Sequence, residues 1–271
     1  MVTNTNEAPC SYCGERMATE EDHVIARQFF PSEQVFRGGL PKVPACGACN
    51  RAKQRVEDTV GVYLQFGHDS DTSRQVLEDR VPRTLQKNLR LARALKAGLW
   101  RGLVRRPSGV IVQGLGFRLD DLVLQDIHDW YCFVARGLYR HESGGPLPET
   151  HSVHLIRPAT RKQYDTLENL IRRDSKHVRR SLANGEFRYI FAMNRIDPIS
   201  AWLLAFKSVD MFVVTLSPDC PESVRKSTAI SEWMRPSAQS VKKNSVRGDS
   251  GSKPNHALHL TGAGEFVSAG R

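Results

Sequence analysis

Two Cys-x-x-Cys pairs, Cys10-Ser-Tyr-Cys13 and Cys46-Gly-Ala-Cys49, constrain this chain more than anything else in it. A Cys-x-x-Cys turn aims two thiolates at one ion, and two such turns complete the tetrahedral site that zinc prefers. Four thiolates leave no open coordination position, so a Zn²⁺ held there is expected to be structural. Thirty-two residues separate Cys13 from Cys46. That is longer than a usual zinc-ribbon gap and leaves room for a functional insert. Cys132, in an apolar stretch, and Cys220, in a Pro-Asp-Cys-Pro turn, are read as free thiols. Cysteines used this way suit a reducing compartment better than a disulfide framework does.

The opening residues have neither a basic n-region nor an apolar h-region, so no signal peptide is expected and the cytoplasm is the default compartment. No apolar run approaches the ~18–20 residues of a membrane span, and no membrane partner is expected. Among 271 residues, 39 Lys and Arg face 29 Asp and Glu, a net charge of +10. That balance favours a polyanionic partner, nucleic acid first, with DNA preferred to RNA. The charge is unevenly spread: residues 74–106 hold ten Lys and Arg against Glu78 and Asp79.

The pattern of elements predicts an α+β fold with an N-terminal module over 8–66, a basic helical and antiparallel-sheet domain of unassigned role over 75–218, and a disordered tail over 237–271. In the module, short strands over 17–25 and 42–45 flank a loop, and a helix follows over 50–66. Asp71 is the expected N-cap of the next segment. One helix should then start at Pro82, with Leu85, Leu89, Ala92, Leu95 and Leu99 as its apolar stripe. Arg83, Lys87, Arg90 and Arg93 lie off that stripe, either as a solvated face or as a phosphate-contacting one. Further on come a strand over 108–118, a helix over 120–139, a strand over 151–156 and a second long helix over 159–182. Strands over 187–193, 199–206 and 211–216 form a meander.

Between the cysteine pairs lies Asp22-His23, and directly after them Asn50-Arg-Ala-Lys53. Metal-assisted phosphodiester hydrolysis needs a base for water, a hard divalent cation and positive groups for the backbone. Neutral imidazole at His23 can be the base. Asp22 and Asn50 can give oxygen ligands to Mg²⁺ or Mn²⁺. Lys53, one helical turn past Asn50, can face the same phosphate. Glu57 shares that helix face and either assists the metal or, like Asp58, is a solvated acid.

Cys-x-x-Cys, Asp-His, then Cys-x-x-Cys-Asn-x-x-Lys resembles the HNH endonucleases, ββα-metal nucleases stapled by a zinc treble clef, over residues 8–66. The resemblance implies that His23 is the general base and that Asp22 and Asn50 hold the catalytic cation. It departs from the family at Pro41, where an Asn that orients the base histidine usually stands. A backbone carbonyl is the expected substitute. The rival reading is a non-catalytic treble-clef protein that binds nucleic acid and keeps the zinc without the chemistry.

Overall fold

The strands over 187–193, 200–206 and 209–216 are largely apolar on both sides, and this sets the architecture. In the computed structural model, which describes residues 8–66, 70–105, 111–158, 160–174, 176–193, 200–207 and 209–219, the fold is α+β. The tail over 237–271 and Cys220 lie outside the described residues.

The elements run β1 (Glu20–His23), α1 (Gln34–Arg37), β2 (Lys42–Ala45), α2 (Gly47–Phe66), α3 (Asp71–Asp79), α4 (Val81–Lys87), α5 (Leu89–Gly98), β3 (Leu99–Arg105) and β4 (Ile111–Phe117). Then follow α6 (Asp121–Ser143), β5 (Ser152–Ile156), α7 (Arg161–Arg172), β6 (Val178–Leu182), β7 (Phe187–Met193), β8 (Ser200–Phe206) and β9 (Val209–Leu216). No helix among the described residues is long and apolar enough to cross a membrane.

The five C-terminal strands form one sheet in the order β5-β9-β8-β7-β6, antiparallel throughout. Side chains alternate across a strand, so Phe187, Tyr189 and Phe191 share one face with Trp202, Leu204, Met211 and Val213. Ile190, Leu203, Phe212 and Val214 fill the other, against Leu167 and Ile171 of α7. The first face meets α6 and the N-terminal segment. There Phe29 lies 5.4 Å from Trp130 and 5.7 Å from Phe206, ring centre to ring centre. All three rings are fully buried, so residues 10–64 and 130–213 share one continuous core.

Gly61 lets α2 approach that cluster, since a Cβ there would fall 2.8 Å from Phe29 Cε1. The Phe29 ring is held by Trp130 and Phe206 and has little room to yield. Gly61→Val is therefore expected to lose about 1–3 kcal/mol, read by urea denaturation. A loss within about 0.5 kcal/mol, the usual range for surface changes, would mean that the contact is slack.

Several sequence expectations need correction. The helix expected from Pro82 is two helices, broken at Asn88, whose side chain caps α5 by accepting from the Leu91 N–H at 3.0 Å. Its expected stripe residue Leu89 is 61% exposed, and Leu99 already begins β3. Ser70, not Asp71, caps α3. The long helix over 159–182 ends at Arg172, and β6 takes Val178–Leu182. Val178-Arg-Arg-Ser-Leu182 shows no apolar alternation, and its two arginines read as the basic end of a helix. Pairing with β7 decides the strand.

Candidate metal centre and active site

Backbone hydrogen bonds bring the two cysteine pairs together. Gly14, in the left-handed region at φ 74°, donates its N–H to the Cys10 carbonyl and closes the first turn. Ser11 then donates both its N–H (2.9 Å) and its Oγ (2.8 Å) to the carbonyl of Pro44 on β2. Cys46 and Cys49 straddle the start of α2. As a result the Sγ atoms of Cys10, Cys13, Cys46 and Cys49 all lie within 4.8 Å of one another. Zn–S bonds of ~2.3 Å in a tetrahedron put sulfurs ~3.8 Å apart, so the donor set fits a metal ion, and zinc best.

Burial opposes ionisation of Cys46, but hydrogen bonds from Cys49 and the other thiols outweigh it and bring Cys46 down to about 7. Burial and the hydrogen bond to Cys46 push Cys49 far up. Among the described residues no other group of three or more His, Cys, Asp or Glu side chains is spaced to hold a metal.

The Asp-His pair lies beside this centre. β1 and β2 are antiparallel, with Asp22 opposite Val43 and His23 opposite Lys42. α2 packs on β1 through Lys53, which is fully buried. Its ammonium reaches Asp22 Oδ2 at 3.0 Å, Glu57 Oε1 at 2.5 Å and the His23 carbonyl at 2.8 Å. Lys53 therefore cannot face a phosphate as the sequence reading had it, because two carboxylates and a carbonyl take its three protons. Glu57 is likewise no solvated acid. It is 5% exposed, and burial lifts its carboxyl to about 7 against the pull of Lys53.

Tyr12 completes the group. Its hydroxyl donates to Asp22 Oδ2 at 2.5 Å, and its ring packs edge-on against Phe133 of α6. Burial first, then the Asp22 charge, pushes the phenol well above its usual range, so it remains a donor. Both oxygen contacts of Asp22 fall on Oδ2. Oδ1 accepts no hydrogen bond from the described residues and is not enclosed.

His23 is half-buried. Burial, then the charges of Lys42 and Arg27, lower its pKa from the ordinary value, with Asp22 partly opposing. Its Nδ1 is buried and has no hydrogen-bond partner among the described residues. No carbonyl of the described residues therefore takes the place of the missing Asn. The Pro41 carbonyl instead accepts from the Val24 N–H at 2.9 Å. Asn50 sits in the first turn of α2, partly exposed, one turn before Lys53 on the same face. Its side chain makes no hydrogen bond to Asp22 or His23 among the described residues.

Sequence reading missed Tyr12, hidden inside a Cys-x-x-Cys turn, and the partnership of Lys53 with Glu57, for which their i,i+4 spacing was the available signal. It also missed Lys42 and Arg27 as the positive charges that act most on the His23 imidazole. Arg83, Lys87, Arg90 and Arg93 are all exposed and form no ion pair among the described residues. Arg90 lines a cleft of about 780 Å³ together with Asp58, Asp120 and Asp126, and Arg83 lines another with Glu57, Asp58 and Asp79, so both stand in mixed-sign settings. No protein-family model, curated protein or solved structure matches this chain.

Proposed function

We propose that this chain is a metal-dependent endonuclease of the HNH type that hydrolyses DNA phosphodiester bonds from a zinc-stapled ββα module. His23 is the general base, and Asp22 and Asn50 hold the catalytic cation. The reading is carried by the contact of one side chain with both halves of the motif. Lys53 binds Asp22 Oδ2 and the His23 carbonyl, so the helix face bearing Asn50 lies against the Asp-His strand, with Asp22 Oδ1 left free.

A hard divalent cation there, Mg²⁺ or Mn²⁺, would neutralise charge on the phosphate and the leaving oxygen. Two protein oxygens suffice for such an ion, because Mg²⁺ usually keeps waters and substrate phosphate in its remaining positions. His23 accepts the proton of the attacking water as a neutral imidazole. Lys42 and Arg27 hold that neutral form and offer positive charge to the DNA backbone.

A second reading, a non-catalytic zinc treble clef that binds nucleic acid, is favoured by the buried Nδ1 of His23, unpartnered among the described residues. Without a fixed partner there, nothing orients the imidazole as a base. Supercoiled-plasmid nicking with Mg²⁺, Mn²⁺ or Ni²⁺ separates the two. His23→Ala should slow nicking on the order of 10²–10⁴-fold. The wild-type rate should hold through neutral pH and fall only as His23 protonates, below its ordinary range. Lys42→Ala should move that acid limb upward, because a positive neighbour that disfavours imidazolium is gone. Equal nicking by wild type and His23→Ala would leave the binding reading.

A further inference from the structure

The sequence expectation of one basic helix hid a separate structure at its end. Among the described residues β3 and β4 pair only with each other, Leu99 opposite Phe117 through Arg105 opposite Ile111. Phe117, at the root of this two-stranded ribbon, packs on Tyr63 and Phe66 at the end of α2. Trp100 on the opposite face lies over Gly102, where a Cβ would fall 2.4 Å from its ring.

Beyond the root, the face that continues from Phe117 has large apolar side chains left exposed among the described residues. It carries Arg101, Leu103, Ile111 and Gln113, all exposed, with Leu103 at 76% and Ile111 at 61%. A ribbon of this kind is marginal by itself in water, and its bare apolar side chains are an association hazard. Such a face needs an occupant.

Charge identifies the occupant. From Arg80 to Leu119 the chain has ten Lys and Arg and no Asp or Glu. A second copy of the ribbon would bring like charge to like charge. A polyanion would not.

We propose that the β3–β4 ribbon enters the major groove of duplex DNA and reads base edges with Arg101 and Gln113. A two-stranded antiparallel ribbon fits the ~12 Å major groove, and seven-residue strands at ~3.3 Å per residue reach about 20 Å into it. Arg101 is opposite Leu115, and Gln113 is opposite Leu103, so Arg101 and Gln113 are diagonal neighbours. Diagonal neighbours lie about 7–8 Å apart, close to two base-pair rises of ~3.4 Å. Arginine pairs with guanine O6 and N7, and glutamine with adenine N6 and N7. Leu103 and Ile111 alongside them suit thymine methyl groups. Exposed Arg83, Lys87 and Arg93 on α4 and α5 then supply the phosphate contacts that orient the ribbon.

This inference rests on the nucleic-acid reading above but not on cleavage. The test uses the full chain and 24-base-pair duplexes recovered by binding selection from a random pool, made with guanine or with 7-deazaguanine. The analogue removes the major-groove N7 acceptor and leaves pairing and the minor groove intact. Wild type should bind the 7-deaza duplex on the order of fivefold to tenfold more weakly. Arg101→Ala/Gln113→Ala should bind both duplexes alike, at about the wild-type level for the 7-deaza one. Wild type indifferent to 7-deazaguanine overturns the proposal, as does a double variant that keeps the full sensitivity. An oligomer dispersed by Leu103→Ser/Ile111→Ser, with no 7-deaza effect, would assign the ribbon to self-association instead. Nicking of the same duplexes, measured in parallel, keeps the two readings apart. Cleavage without 7-deaza sensitivity removes only the ribbon proposal, and sensitivity without cleavage removes only the nuclease.

Discussion

Stripping the metal from the four cysteines, or replacing Cys49 with serine, is expected to unfold the N-terminal module and disrupt the main core with it. The β1–β2 sheet has four residues per strand, well short of what a two-stranded sheet needs to stand alone. Structural zinc on thiolates contributes about 10–16 kcal/mol of apparent binding free energy. Whole domains of this kind are stable by only about 5–15 kcal/mol. Loss of the ion therefore exceeds anything the local hydrogen bonds can replace. The loss should spread, because Cys10 and Cys46 belong to the same buried cluster as Phe29, Trp130 and Phe206. Trp130 and Trp202, both fully buried, should redden in fluorescence as zinc is drawn off by a chelator, with loss of near-ultraviolet circular dichroism. Cys132→Ser is the control. Its thiol lies outside the cluster, beside His128 at 3.8 Å, and the change should be nearly silent. A metal-free chain that melts within a few degrees of the zinc-loaded one would remove the structural role assigned to the four cysteines.

How much of this was legible in the sequence depended on whether the deciding interaction was local. The cysteine spacing is a local statement, and the four Sγ atoms converge. β2 is found over Lys42–Ala45, where a short strand leading into Cys46 was expected, and α2 follows at helical spacing. The meander was readable because β7, β8 and β9 are buried over most of both faces and are therefore largely apolar. What failed was decided at a distance. A run of basic residues with leucines at helical spacing looks like one helix until Asn88 caps a new one and Leu99 finds Phe117 across a hairpin. Arg179 and Arg180 resemble the basic end of a helix until β7 pairs with them. Lys53 is the sharpest case. From sequence an exposed lysine after Asn-x-x is a phosphate ligand, and only the packing of α2 on β1 turns it into the counter-ion of Asp22 and Glu57.

That reassignment leads to the second large effect. Lys53→Met keeps the volume and apolar stem but leaves two carboxylates near-buried, with Tyr12 as the remaining donor to one of them. Removing one member of such a group costs about 3–5 kcal/mol. The cost should depend on pH in a definite sense. Glu57 titrates at about 7 in the folded protein, above the ~4.3 of an exposed glutamate. The folded state therefore holds a proton there that the unfolded state has lost, and stability declines as pH rises across that interval. Without the ammonium the Glu57 carboxyl rises further, so the decline continues to higher pH. Urea denaturation should find Lys53→Met modestly destabilised at pH 5 and severely so at pH 8, with Lys53→Met/Glu57→Gln recovering most of the difference. A pH-independent loss below about 1 kcal/mol would mean the ammonium is not the counter-ion of this group. The same substitution bears on the candidate cation site. Lys53 and a divalent ion compete for the charge of Asp22, so Mn²⁺ should raise the melting temperature of Lys53→Met more than that of wild type. With Asp22→Asn added, that extra gain should vanish. The sites would then be coupled through one carboxylate, with Oδ2 held by the fold and Oδ1 left for the ion.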